Sequence, residues 1–486
     1  MNKNLLLSIL FLIAVFGETG AQTVTSREDE FTVLKNANAI VRTLDVDNNP
    51  IVYCKDNTNQ HHIIYHNQNY SAPYSSPSFV WPAFISGTDY TINDMVVLGD
   101  RCYCCGSYTC PDVRGVTTVG LIVRIDLSNI ANTMGATVEF KFCTINKVKE
   151  FTRMDATKDN SIDDIALLGE LKDPSNPSGV AFVTWNGVNW KYKVHGLNET
   201  DETLTDIVFT ANGNKVITVS RLDNKLYDFC MRGELRDTAF NMNRDTLINF
   251  EMRNNFNTVN MTLQSSPNPS PTQHRNDVDM RLVADMSEDE VVTVAYECYD
   301  DTKVCEPQQQ VAMFRVDLYS FPVYPMTLTG WQMVFGYFGQ PNTLVDIKYL
   351  HGDNTIGLLR SCGKCSEEMT TLLQFPTWSG YGDIEALQIA PQVYASMDIY
   401  DGEHVHLVGV EPNDGHLIHF RQLKPSLDHS CYLSRPMSRS EELNLPWSLV
   451  YKLHKVPIVV KGDYSIAGQT VNAAPNNYNI NCETPY

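Results

Sequence analysis

Leu204-Thr205-Asp206-Ile207-Val208-Phe209-Thr210-Ala211-Asn212-Gly213-Asn214-Lys215-Val216-Ile217-Thr218-Val219-Ser220 reads as a short buried strand, a tight turn and a second, β-branched strand. Val, Ile, Thr and Phe suit a pleated, half-buried surface. Asn212-Gly213 supplies residues that tolerate positive φ, which a short hairpin turn requires. The stretch predicts an antiparallel hairpin.

The same design recurs. An Asp-Ile or Asp-Met pair opens it at Asp94-Met95, Asp164-Ile165, Asp206-Ile207, Asp279-Met280, Asp346-Ile347 and Asp398-Ile399. A short apolar run and a turn follow each pair, among them Gly99-Asp100, Gly169-Glu170, Gly352-Asp353-Asn354 and Asp401-Gly402. A second strand then begins, as in Val291-Val292-Thr293-Val294-Ala295-Tyr296. A degenerate copy without the opening pair lies at Ala39 to Leu44, with its second strand at Ile51-Val52-Tyr53-Cys54. The copies are spaced roughly 40 to 75 residues apart, which suits blades with variable outer strands. At four strands per blade, seven such units use most of the chain. The pattern resembles seven-bladed β-propellers in general, an all-β fold of antiparallel four-stranded sheets. It shows no Trp-Asp blade signature, no Asp-box and no Gly-Gly kelch doublet.

The 486 residues carry a formal net charge of -20. A nucleic-acid binder needs a basic footprint, so that class is excluded as the expectation. Acidity also disfavours adhesion to anionic membranes and suits a soluble exported protein. Residues 1–21 read as a secretory signal: Lys3 is the positive start, Leu5 to Phe16 the apolar core, and Thr19-Gly20-Ala21 the cleavage site. No later run is long enough to span a bilayer. The expectation is a periplasmic, cell-surface or extracellular protein whose residues 22–486 form one propeller domain. The sequence does not specify an oligomeric state.

Thirteen Cys in an exported chain predict disulfides with at least one thiol left over. Cys298 and Cys305 flank a hairpin tip, and so do Cys362 and Cys365. Cys102, Cys104, Cys105 and Cys110 crowd the matching place in an earlier repeat. These read as clips across tips, with Cys102 and Cys110 among the candidates, and Cys431 and Cys482 could tie the tail to the body; the sequence leaves the pairing open. Cys362-Gly363-Lys364-Cys365 also fits a redox motif, but such motifs open helices, and this one sits between strands.

Along the chain, Phe31 to Leu34 is a candidate closing strand beside the last blade. Residues 151–200 hold a repeat opened by Asp164, and residues 393–460 hold the last repeat. Ser265 to Thr272 is the best proteolysis site. The tail from Lys461 is polar.

Two constellations are candidate sites. First-strand residues line a propeller channel, so Asp94, Asp164, Asp206, Asp279, Asp346 and Asp398 would ring one mouth. Such a ring could take Ca²⁺ or a cationic ligand. The structural alternative has each Asp bonded to backbone N–H groups at a blade junction. Second, His404 and His406 share a strand face, and a turn at Pro412 to Gly415 pairs Val408 with His419, placing His419 on that face. Three imidazoles there could ligate Zn²⁺ or another transition metal, or could be hydrogen-bonded strand histidines. Six Trp and 23 Tyr offer sugar-stacking surfaces or blade core. No nucleophile elbow, His-Glu-x-x-His, phosphate loop or dinucleotide fingerprint is present. The expected role is a non-catalytic ligand- or protein-binding scaffold that requires no cofactor. The alternative is a carbohydrate-active enzyme whose carboxylates gather at the channel mouth.

Overall fold

A computed structural model describes residues 24–485, apart from 44–48, 67–74, 82–89, 113–114, 129–136, 160, 198–201, 223–228, 255–279, 287–288, 301–307, 319–332, 336–341, 351–353, 363–367, 377–383, 390–392, 401–403, 424–433, 438–440, 443–449 and 465–468. The chain is all-β; the described helix is a single turn, Arg236–Ala239.

Among the described residues, strand pairing resolves into seven four-stranded antiparallel meanders. The first comprises the end of β1 (Val24–Thr43) with β2 (Pro50–Asp56), β3 (His61–Tyr65) and β4 (Ser75–Val80). The second is β5 (Tyr90–Leu98), β6 (Arg101–Asp112), β7 (Gly115–Asp126) and β8 (Thr137–Ile145). The third is β9 (Val148–Asp159), β10 (Ile162–Asp173), β11 (Asn176–Trp185) and β12 (Trp190–Leu197). The fourth is β13 (Glu202–Phe209), β14 (Lys215–Leu222), β15 (Phe229–Leu235) and β16 (Thr246–Asn254). The fifth is β17 (Met280–Ala284), β18 (Val291–Asp300), β19 (Gln308–Asp317) and β20 (Met333–Phe335). The sixth is β21 (Asn342–Leu350), β22 (Asn354–Cys362), β23 (Glu368–Pro376) and β24 (Ile384–Ile389). The seventh is β25 (Val393–Tyr400), β26 (His404–Val410) and β27 (His416–Leu423), completed by the start of β1.

The first strands β1, β5, β9, β13, β17, β21 and β25 touch in sequence, and β25 touches β1, so the contacts close into a ring. Radial antiparallel sheets around a common axis are the arrangement of a β-propeller. The core lies between neighbouring meanders. Tyr53, Ile63 and Phe79 pack on Met95, Leu121 and Phe140, and Tyr103, Ile122 and Cys143 pack on Phe151, Ile165 and Trp190. The first three sheets are therefore apolar on both faces, as their continuous apolar strands require.

Strand β1 closes the ring. Its residues Ser26 to Phe31 pair with β27, while Ile40 to Thr43 pair with β2. One strand thus serves as the fourth strand of the seventh meander and the first strand of the first. In the template hairpin, β13 and β14 keep Phe209 opposite Val216. The turn is wider than Asn-Gly alone: Thr210 N–H donates to the Lys215 carbonyl, and Gly213 takes φ 68°.

The tail departs from the sequence expectation. The seventh meander ends at Leu423, and residues 434–485 are not part of it. They run once around the outside of the ring. β28 (Ser434–Met437) joins the sixth meander and β29 (Glu441–Glu442) the fifth. β30 (Val450–Tyr464) pairs first with β16 and then with β12. β31 (Gln469–Asn472) joins β8, β32 (Ala474–Asn477) joins β4, and β33 (Asn479–Pro485) joins β1. Each outer edge thereby gains a fifth antiparallel strand. An unpaired sheet edge is a template for aggregation, and the tail covers seven of them.

Two further expectations change. Asp164 lies on β10, the second strand of its meander; the first strand is β9, and Asp155-Ala156 stands where the Asp-Ile pair was expected. Ala in place of Ile hid the pair. Cys102 and Cys110 lie eight positions apart on the one strand β6, far beyond disulfide reach, so they form no clip. Cys54, Cys102, Cys104, Cys105 and Cys143 are buried free thiols, and Cys230 is buried on β15. Cys305, Cys365 and Cys431 lie outside the described residues; Cys298, Cys362 and Cys482 fall on β18, β22 and β33.

Candidate functional site

The first strands line two cavities on the ring axis. One, of about 430 Å³, lies towards the strand ends and is bordered by Thr210, Met286, Lys348, Tyr349, Asp398 and Ile399 among others. The other, of about 350 Å³, lies towards the strand starts, near Asn38, Asn93, Ala395 and Ser396. Arg42, Asp94, Arg153, Arg281 and Asp346 border both, and with Asp155, Asp206 and Asp398, which border the first beside them, they form a neck between the two.

The neck mixes both charges, alternating around the ring until Asp346 and Asp398 stand next to each other. Successive first strands present Arg42, Asp94, Arg153, Asp206, Arg281, Asp346 and Asp398. β9 adds Asp155, and β21 adds Lys348. In β5, β13 and β21 the register slips one residue just before the Asp, a bulge that re-aims the side chain.

These carboxylates join neighbouring meanders. Asp94 accepts the N–H of Met95 (2.8 Å) and, from the next meander, that of Met154 (2.9 Å). Asp155 accepts from Ala156 (2.9 Å) and Phe209 (2.6 Å), and Asp206 from Ile207 (2.9 Å) and Leu282 (2.7 Å). Asp398 accepts from the N–H of Thr43 at 2.7 Å, across the ring closure, and from its hydroxyl. Asp346 accepts from Ile347 (2.9 Å) and lies 3.8 Å from Lys348 Nζ. Arg42 donates to Asp94 (2.5 Å) and to the Val41 carbonyl (2.7 Å). Burial pushes the Asp155 carboxyl up to about 6 and also raises Asp206. Burial opposes the Arg42 charge, but Asp94, Asp398 and Asp346 hold its pKa above the ordinary value.

Of the six Asp in the expected ring, Asp94, Asp206, Asp346 and Asp398 therefore share the neck. Asp164 does not; Arg236 donates to it at 2.5 Å. Asp279 lies outside the described residues. The guanidinium groups were missed from sequence. Their signal was Arg at matching strand positions, in Val41-Arg42-Thr43, Thr152-Arg153-Met154 and Met280-Arg281-Leu282.

A second cluster sits at the seam between the seventh and first meanders. Val408 stands opposite His419, and His406 opposite Arg421. His406 Nδ1 lies 3.1 Å from His419 Nε2, and the rings stack. Asp29 and His66 join them here, while His404 starts β26 and is half-buried. Asp29 on β1 is the register partner of His419. His66 follows β3, tied there by its N–H to the Pro50 carbonyl (2.9 Å). Asp29 Oδ2 is 2.9 Å from His66 Nε2 and 4.0 Å from His419 Nδ1. Among the described residues, Asp29, His66 and His419 bring three metal-ligating atoms within 4.8 Å of one another.

All of these side chains are buried. Burial holds the His419 imidazole down to about 3 and lowers His406 and His66 as well. Burial works to raise Asp29, but the nearby His419 imidazole, the His66 hydrogen bond and the charge of Arg27 hold it well below the carboxylate range. The cluster is thus an ionised carboxylate among neutral imidazoles.

No family model matches this chain, and no curated protein matches it. Among solved structures, it is similar at 10% identity to a Penicillium chrysogenum α-L-arabinanase complexed with arabinobiose (TM-score 0.33; 64% of this chain, 91% of that one). The WD40 domain of SCAP from fission yeast matches at 9% identity (TM-score 0.35; 82% and 95%). An ulvan lyase, a polysaccharide lyase, matches at 10% (TM-score 0.36; 85% and 97%). All three are β-propeller proteins. Likeness this distant transfers nothing about activity, and the architecture described above rests on strand pairing.

Proposed function

We propose that the chain is an exported, seven-bladed β-propeller that acts as a non-catalytic binding scaffold, with its ligand or a partner's loop seated in the cavity at the strand ends. The ring of first-strand contacts and the seven meanders support the blade count. One observation carries the non-catalytic reading: Asp94, Asp155 and Asp206 at this mouth each have both oxygens engaged by backbone N–H groups. A glycosidase needs one carboxyl group to deliver a proton and another to face the sugar or water. Carboxylates bonded across blade junctions are construction. The neck then closes the floor of the cavity, and its rim carries Met286, 67% exposed, beside Lys348. The lining is more polar than apolar, with Lys348 and Asp398 among its charged groups, so the occupant it fits is a polar ligand or a polar loop. The scaffold requires no cofactor, and three guanidinium groups in the neck argue against Ca²⁺ there.

The test uses residues 22–486 on a glycan array and in a product-release assay on the same glycans, beside M286D/K348E. Saturable binding lost in the variant, without product, supports the proposal. Product release by the unaltered chain overturns it in favour of the carbohydrate-active enzyme. Binding that survives the double substitution removes the ligand from this mouth.

A further inference from the structure

We propose that Asp29, His66 and His419 form a transition-metal site of the zinc class that locks the seam of the ring. The three donors come from β1, the end of β3 and β27, three separate strands that meet only where the ring closes. Two imidazoles and a carboxylate are a zinc-type donor set. Tetrahedral ligation with bonds near 2.0–2.1 Å spaces donors about 3.3 Å apart. The two Asp29 separations, 2.9 and 4.0 Å, bracket that value and no donor pair exceeds 4.8 Å, so the donors close in by at most about 1.5 Å.

The outer atoms of the ligands carry the argument further. Metal-bound imidazoles normally donate their second N–H to an oriented acceptor. His66 Nδ1 lies 2.8 Å from Ser76 Oγ, so with Nε2 on the metal it donates to Ser76. His419 offers Nδ1 to the centre, while its Nε2 lies 3.1 Å from His406 Nδ1, which accepts. Asp29 offers Oδ2, and its Oδ1 accepts from Arg27 Nε at 2.8 Å. Each of the three ligands is thus held by a separate buried group. Ligation needs only tautomer placement, with the His66 proton moving from Nε2 to Nδ1 and the His419 proton held on Nε2, so no net proton is released.

Charge permits the ion. Arg27 and Arg421 face the cluster, Asp29 and Glu483 offset them, and Arg27 lies 3.7 Å from Glu483. The ion enters a site close to neutral. The site also accounts for three fully buried imidazoles in one seam, a costly arrangement to desolvate for strand pairing alone.

The test is metal analysis of a tag-free chain purified without chelator, with Zn²⁺ and then Co²⁺ added to the stripped protein. The expected results are roughly one ion per chain, a Tm that falls on chelation and returns with Zn²⁺, and an intense low-coordination Co²⁺ absorption spectrum. H406Q keeps all three donors and loses only the support of His419, so its affinity falls roughly 10- to 100-fold. H66Q and H419Q abolish stoichiometric binding. A Tm indifferent to Zn²⁺ and chelator, with no Co²⁺ spectrum, overturns the proposal. So does an ion retained at full affinity by H66Q, H419Q and H406Q. Should H66Q or H419Q fail to fold, the unaltered chain and H406Q decide it.

Discussion

The neck and the seam both bury carboxylates, but they hold them differently. In the neck, Asp94, Asp155 and Asp206 accept N–H groups from their own strand and the next one, a local pattern repeated from meander to meander. At the seam, Asp29 is held by side chains: Arg27, His66 37 positions away, and His419 from the last meander. A repeated junction follows from the repeat itself. The seam joins two ends of the chain that have no repeat relationship, and a denser set of polar contacts marks it. Losing one neck carboxylate should weaken one junction among several, whereas losing Asp29 should open the ring.

The comparison can be broken at graded cost. The largest effect is expected from ending the chain at residue 433, which removes the outer strand from all seven meanders. Size-exclusion chromatography should then show soluble aggregate in place of the native species, since exposed edges pair with one another. Next is D29N, which removes the carboxylate closest to buried Arg27 and leaves it Tyr478 and the more exposed Glu483. Breaking a buried ion pair from one side costs about 3–5 kcal/mol, read as a shift in denaturation midpoint. D206N puts an amide N–H against the N–H of Leu282 or Ile207 and should cost about 1–3 kcal/mol, with the other junctions intact. If D206N proves as damaging as D29N, the distinction between neck and seam fails. The smallest effect belongs to G213A, about 1 kcal/mol from the positive φ, plus the displacement of Thr157 Oγ1, which lies 2.8 Å from the added Cβ position.

Acid should act mainly on buried imidazoles. Burial holds His61 and His195 down to about 4 and His419 to about 3. Their folded values lie below the unfolded one, so their contribution is complete above about pH 6.5 and is lost as pH falls towards 4 and then 3. Asp155 at about 6 and Glu234 at about 7, both raised by burial, run the other way: they favour the fold at low pH and lose that contribution as pH rises through those values. The imidazoles outnumber these two carboxyls, so the unfolding free energy measured by urea titration should fall between pH 6.5 and 4. A flat or rising profile there would show that the histidines titrate as if exposed.

Much of the neck was legible in sequence because it obeys a period. Asp206-Ile207 and its copies announced both the first strands and the carboxylates on them, and the hairpin grammar located β13 and β14. Reading failed at β9, where Ala156 replaces the apolar marker and Asp164 mimics it one strand later. The arginines escaped because a sequence shows no cross-ring neighbours. At the seam, β-strand alternation placed His406 and His419 on one face, but Asp29 and His66 come from strands that no local pattern links to β27. The tail was least legible. Its short strands, such as Gln469–Asn472 and Ala474–Asn477, are polar because an outermost strand faces solvent, so the tail read only as polar, with no strand pattern in it.

Amide hydrogen exchange followed by mass spectrometry over residues 450–485 tests the central claim, that β1 and the tail together close and bind the ring. Amides donating into the ladders of β30 with β16 and β12, and of β33 with β1, should exchange in the slow class with the strands they pair with. Exchange of these amides within seconds, while β12 and β16 stay protected, would show that the tail does not belt the ring.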